Sequence, residues 1–130
     1  MLCPCCSMMP YAQCCGPLLS GTRRASSALA LMRSRYTAFA MRNAQYIYDT
    51  YAKEERRRLR LLDISRDLSD TAWVKLEIVS MKQIDANNAR VSFRAYHQKD
   101  GLQRCLSEDS AFVKEAEGWR YVQSRSKSLS

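Results

Sequence analysis

A chain of 130 residues holds one domain with room for a small appendage, long enough to bury a core without disulfide staples. Its 46% apolar and 26% charged residues exclude wholesale disorder, no apolar run approaches the ~18–20 residues of a membrane span, and no repeat period is visible. Lys and Arg outnumber Asp and Glu by 21 to 13, and the formal charge of +8 favours acidic partners: an acidic protein, the ribosome or nucleic acid, with no membrane.

The first element is a cysteine cluster. Cys3, Cys5, Cys6, Cys14 and Cys15 fall within the first fifteen residues; the sixth cysteine, Cys105, lies far away in a strand pattern. The opening Met1-Leu2-Cys3 has neither the basic flank nor the apolar core of a secretory leader, so a reducing cytoplasm is expected and disulfides are not. A metal fits better than a bare cysteine-rich tail. Cys3-Pro4-Cys5, eight residues and then Cys14-Cys15 place a thiol pair at each end of one short loop. Zn²⁺ takes four such sulfurs in a tetrahedron at about 2.3 Å. Cys3, Cys5, Cys14 and Cys15 are the expected ligands, with Cys6 as a fifth candidate. Four thiolates close the coordination sphere, which predicts a structural zinc and disfavours a hydrolytic one. The four thiolates and the ion together lower the formal charge by two.

Helices follow. Ser26 or Ser27 is placed to cap a helix running to about Asn43, with Leu29, Met32, Tyr36 and Phe39 on one apolar face and Arg33, Arg35 and Arg42 mostly off it. A second short helix carries Ala44, Ile47, Tyr48 and Tyr51. The basic stretch from Lys53 through Leu62 reads as a third, with Leu59 and Leu62 inward. Beyond Asp70 the period changes to two. Val74, Leu76 and Ile78 alternate with Lys75 and Glu77, and Asn87-Asn88 makes a turn. Val91, Phe93, Ala95 and His97 alternate in the next strand, and Asp100-Gly101 is a two-residue hairpin turn. A third strand runs from Leu102 to Phe112, Gly118 turns the chain again, and a last strand reaches from Trp119 to about Ser124. Residues 125–130 read as a disordered tail. Helices first and an antiparallel meander afterwards make an α+β fold, with the helices covering one face of a curved sheet.

Cys3-Pro4-Cys5-Cys6-Ser7-Met8-Met9-Pro10-Tyr11-Ala12-Gln13-Cys14-Cys15-Gly16 resembles the SEC-C zinc-binding motif. The continuation Gly16-Pro17-Leu18-Leu19-Ser20-Gly21, then Ala30-Leu31-Met32-Arg33-Ser34-Arg35-Tyr36, and later Glu108-Asp109-Ser110-Ala111-Phe112-Val113 with Gly118-Trp119-Arg120-Tyr121-Val122, is similar to the YchJ family of uncharacterised bacterial proteins. That resemblance implies a SEC-C motif over residues 1–21 and a cone-shaped, nuclear-transport-factor-2-like domain over 22–124, with a pocket between sheet and helices. It also marks departures. Cys6 and Met8 stand where the motif has glycines, and Met9 where it has a basic residue. Ser107 and Tyr51-Ala52-Lys53 stand where the family often carries histidines.

A two-residue turn at Asp100-Gly101 makes His97 face Arg104 and Phe93 face Glu108. His97, Arg104 and Glu108 then share the covered face with Tyr36, Tyr48 and Tyr51, a candidate polar pocket; the simpler expectation is that Arg104 and Glu108 neutralise each other and His97 is an ordinary sheet residue. No catalytic triad, phosphate loop or open metal site is present. The leading expectation is a cytoplasmic, non-enzymatic adaptor docking through the zinc knuckle on a basic surface. The alternatives are a small-molecule-binding protein or enzyme using Tyr36, His97, Arg104 and Glu108, and, more weakly, nucleic-acid or ribosome binding through Arg56 to Arg60.

Overall fold

A row of short helices precedes four long antiparallel strands in the computed structural model, which describes residues 1–68 and 70–130. The architecture is the expected α+β one, helices laid on one face of a curved sheet. The N-terminal loop closes as a miniature hairpin: Cys3 N donates to Met9 O at 2.8 Å, Tyr11 N donates to Met1 O at 3.0 Å, and Leu2 bridges Pro10. A 3-10 turn at Tyr11–Gln13 and helix α1 (Gly16–Leu19), opened by Pro17, follow. Cys6 and Met8 take the left-handed backbone that glycine favours, with φ of 66° and 70°. At Gly16 a Cβ would lie 2.8 Å from the Tyr11 carbonyl oxygen, so the turn and α1 touch only because that side chain is missing.

Helix α2 (Ala28–Ala40) starts where Ser27 accepts a hydrogen bond from Ala30 N, as its sequence predicts. It is buried on nearly every side, because the N-terminal loop, the next helix and the sheet all pack on it. Arg35, expected off the apolar face, is therefore inside, 3% exposed. The helix ends earlier than Asn43, since Arg42 turns left-handed (φ 57°) and Asn43 caps α3 (Ala44–Asp49) by accepting from Tyr46 N.

The expected third helix is split into α4 (Lys53–Arg56) and α5 (Leu61–Asp67). Four arginines within five positions repel one another along a helix, and Arg60 instead adopts an extended backbone. The break rotates Leu62 to the surface, while Leu68 enters a small core with Ala38 and Ile47.

Strands β1 (Ala72–Asp85), β2 (Asn88–Lys99), β3 (Leu102–Glu115) and β4 (Gly118–Leu129) form one meander in sequence order. Asp100 and Gly101 both have positive φ, the two-residue turn whose twist suits a hairpin. Its register pairs Phe93 with Glu108 and His97 with Arg104. The first turn lies at Ala86-Asn87, one residue before the expected position, held by Asp85 Oδ1 accepting from Asn87 N at 2.8 Å.

Both outer strands carry bulges. Register slips skip Val74, Val79 and Ile84 in β1, and Val122 and Arg125 in β4. Bulges add twist and bend a strand. Placed on the two flanking strands, they curl the sheet around α2. They also explain why Val74 points outward, 48% exposed, while Trp73 takes the inward place. The tail expected to be disordered is paired: Leu129 faces Leu106, and Ser130 exchanges backbone bonds with Cys105 at 2.7 and 2.9 Å. Alternating Ser124, Ser126 and Ser128 carry the period of a strand, but without the apolar residues that make such a period conspicuous. Among the described residues no helix is long and apolar enough to cross a membrane.

Candidate metal centre and ligand cavity

The four expected sulfurs converge. Sγ atoms of Cys3, Cys5, Cys14 and Cys15 all lie within 4.8 Å of one another, with Cys5–Cys14 at 3.6 Å and Cys14–Cys15 at 3.9 Å. A tetrahedron with sulfur at 2.3 Å from its centre has edges of about 3.8 Å, so the cluster has the span a single ion requires. Cys6, the fifth candidate, stands apart: it is exposed, and its Sγ accepts from Leu76 N at 3.4 Å.

The surroundings suit a thiolate set. Arg33 Nη1 donates to the Cys5 carbonyl at 2.8 Å and lies 3.9 Å from Cys5 Sγ. The Ser7 hydroxyl is 3.2 Å from Cys14 Sγ, and Thr37 Oγ1 is 3.7 Å from Cys3 Sγ. Four thiols packed this closely do not ionise alike. Hydrogen bonding from Cys15 pulls the Cys5 thiol down to about 4, with burial opposing it. The Cys15 thiol is pushed up, first by its bond to that thiolate and then by burial, and burial raises Cys14. A divalent cation at the centre would offset the mutual repulsion of four thiolates held this close. Cys3, Cys5 and Cys15 are 5%, 0% and 2% exposed and belong to the same apolar cluster as Leu31, Tyr36 and Phe112. The loop is part of the core rather than a head tethered to it.

A second feature lies between α2 and the concave face of the sheet. A cavity of about 260 Å³ has walls from Tyr36, Phe39, Trp73, Phe93 and Leu106, with Arg35, Glu108 and Tyr121 among its polar members. Arg35 is held in place from three directions. Its Nη1 donates to Ile47 O at 2.9 Å and Thr50 Oγ1 at 2.7 Å, and its guanidinium lies between the rings of Tyr51 (4.4 Å) and Tyr121 (4.5 Å). Burial lowers its pKa from the ordinary value, and the neighbouring tyrosines oppose that shift. Glu108 Oε2 accepts from Ser110 Oγ and from Tyr121 Oη, the latter at 2.9 Å. Burial, then the Glu108 charge, raises the Tyr121 hydroxyl above its ordinary pKa, so it stays a donor.

Of the pocket residues expected from sequence, Tyr36 and Glu108 line this cavity; His97 and Arg104 do not. Arg104 is exposed, near the β2–β3 turn. His97 is buried under Trp73, ring centroids 4.6 Å apart, and its Nδ1 has no hydrogen-bond partner among the described residues. The expected Arg104–Glu108 pair does not form; Glu108 Oε2 is bonded instead to Ser110 and Tyr121. Tyr48 stays outside the lining, whereas Tyr51 enters it. Sequence reasoning missed Arg35, Tyr121 and Lys127. Their signals were weak: an arginine off a helix stripe, a tyrosine in a short strand and a lysine in a serine-rich tail.

A family model described as "YchJ, middle NTF2-like domain" matches residues 27–124, most of the chain. The protein belongs to the YchJ family. Relatives include a "UPF0225 protein" of Polaromonas naphthalenivorans, 38% identical over 115 residues that cover 88% of this chain and 80% of the relative. Another, from Vibrio cholerae, is 32% identical over 128 residues, covering 94% and 81%. Among solved structures, this YchJ-family chain is similar to a SEC-C motif containing protein from Rhodopseudomonas palustris, with a TM-score of 0.90 at 31% identity over 97% of this chain and 98% of that one. A "sec-c motif containing protein" from Psychrobacter arcticus gives 0.85 at 27% identity, covering 100% and 84%. The YchJ assignment rests on residues 27–124, and the likeness to the two solved structures extends over the N-terminal cysteine loop as well.

Proposed function

We propose that this YchJ-family protein is a cytoplasmic small-molecule-binding protein whose cone cavity is the working site and whose four N-terminal cysteines hold a structural zinc. The observation that carries it is the cavity between α2 and the sheet, apolar and aromatic on its walls with a few convergent polar groups, the usual make-up of a ligand site. Zinc is supported by the all-sulfur, closed set, the donor type and geometry Zn²⁺ prefers. Six free cysteines favour a reducing compartment. The test is a fragment screen by amide chemical shift on the zinc-loaded protein. Binders are expected to move resonances of Tyr36, Ala95 and Leu106, and Ala95→Met, which fills the space, is expected to erase those shifts. Shifts confined to other surfaces, or untouched by Ala95→Met, remove the reading.

The adaptor reading has its own support. Met1, Leu2, Met8 and Met9 are 83%, 58%, 74% and 46% exposed around the cysteine loop, an adaptable apolar surface on a basic protein. An acidic protein is the partner this combination fits, with the ribosome or nucleic acid as weaker choices. Comparing proteins captured by the wild type and by a Met8→Ser, Met9→Ser double variant tests it; identical sets would remove the loop as a docking face.

A further inference from the structure

Arg35 carries a buried positive charge with no carboxylate within ion-pairing distance among the described residues. Leaving a buried charge unpaired is costly, so something must answer it. The two tyrosine rings answer its faces and Nη1 is satisfied by α3 and Thr50. What remains is the opposite edge. Beyond the Nη1 bonds only the Tyr51 side chain adds hydrogen-bonding support to the guanidinium, Nε and Nη2 have no backbone or carboxylate acceptor among the described residues, and the residue lines the cavity. Those two N–H groups form one side of the planar fork that meets a carboxylate bidentately.

The other polar groups of the cavity narrow the choice. Tyr36 is 3% exposed, its hydroxyl makes no hydrogen bond among the described residues, and burial raises its pKa, so it remains a free donor. Lys127, opposite Glu108 in the β3–β4 register, adds a second cation to the lining. Tyr121 spends its hydroxyl proton on Glu108. Two cations and one anion leave the cavity with a surplus positive charge. Glu108 sets the limit on the other side, since a second negative charge on a ligand would meet it. The remaining walls are rings and aliphatic side chains, and 260 Å³ lies just below the ~300–1,000 Å³ usual for ligand sites, so the guest is small.

We propose that the cavity binds a small monocarboxylic acid with a flat apolar body, its carboxylate seated on the Nε/Nη2 edge of Arg35. This rests on the reading of the cavity as a ligand site and adds the class of ligand.

Benzoate, benzamide, benzylamine and terephthalate titrated into the zinc-loaded protein, followed by amide chemical shift, test it. Benzoate is expected to move cavity resonances and to bind at least about tenfold more tightly than the uncharged amide, the amine or the dianion. Arg35→Lys keeps the charge but loses the fork, and is expected to weaken benzoate about tenfold or more and to narrow its advantage over benzamide. Because that site supports packing, Glu108→Gln is the second variant: terephthalate should gain on benzoate by about tenfold once the repelling carboxylate is gone. Equal binding of benzoate and benzamide in the cavity, or benzoate affinity indifferent to both substitutions, overturns the proposal and leaves the ligand-site reading standing. A cavity that responds to none of these probes, nor to any fragment in the wider screen, overturns both.

Discussion

Met8 has φ of +70° and a side chain that is 74% exposed, so it holds a left-handed backbone with little packing in return. An L-residue in that region costs ~1–2 kcal/mol, against the smaller entropic penalty of glycine in the unfolded chain. Met8→Gly is therefore expected to stabilise the protein by about 0.5–1 kcal/mol, read as a rise in midpoint in urea; an unchanged or lowered midpoint would show that the loop tolerates the methionine without strain. Cys6 shares the conformation, but its sulfur accepts from Leu76 N, so the same exchange there loses a contact. Arg33 is the other residue whose role can be separated. It reaches the Cys5 carbonyl and sulfur from α2, placing a cation beside a set that carries a net negative charge once four thiolates hold a divalent ion. Such outer partners typically matter 10–100-fold in metal affinity. Arg33→Met should weaken zinc by about that factor in competition with a chromophoric chelator, while leaving the far-ultraviolet spectrum of the loaded protein unchanged. Equal affinities would reduce Arg33 to a backbone clamp.

At the scale of elements, the segment between α3 and α4 does more than connect. Ala52 N donates to Tyr121 O and Tyr121 N donates to Thr50 O, both at 2.8 Å, so three residues add themselves to the edge of β4. That pairing sets Tyr51 edge-on to Tyr121, 5.4 Å apart, and completes the sandwich around Arg35. Ala52→Pro keeps the local φ of −58° but removes the N–H. The orphaned carbonyl should cost ~1–3 kcal/mol of stability, with amide exchange accelerating at Tyr121 and Thr50 before the rest of the sheet; uniform protection would mean the strap is ornamental. This strap also shows where the sequence stops being legible. The β2–β3 register followed from two residues, because Asp100-Gly101 admits one hairpin and period two does the rest. The cysteine cluster was legible because thiol spacing is itself the chemistry. The Tyr51–Tyr121 bridge was not, since its partners are 70 positions apart and neither segment carries a local signal. Arg35 was misplaced for a related reason: an arginine is read as solvated unless its acceptors are known, and here those are a helix carbonyl, a threonine and two ring faces.

For the molecule as a whole, the sharpest question is whether the cysteine loop is an appendage or a part of the core. Its sulfurs sit in one apolar cluster with Leu31, Phe93 and Phe112, and the loop touches both α2 and β1. An appended module would lose its metal and fray alone. A loop packed this way takes the core with it, since removing the ion leaves thiols that must either reprotonate or repel inside a buried cluster. Metal binding at a closed four-thiolate site supplies free energy comparable with the ~5–15 kcal/mol that holds a domain together. A strong chelator should therefore lower the thermal midpoint in a single transition in which the sheet signal and the near-ultraviolet signals of Trp73 and Trp119 fall together. Trp73 borders the cavity and Trp119 lies in the core at the start of β4, so the pair reports on both ends of the cone. The opposing outcome is specific: loss of amide protection confined to residues 1–21, with the two tryptophan signals and the midpoint unmoved. That result would make the loop a separable unit and shift the weight of the functional argument from the cavity towards docking.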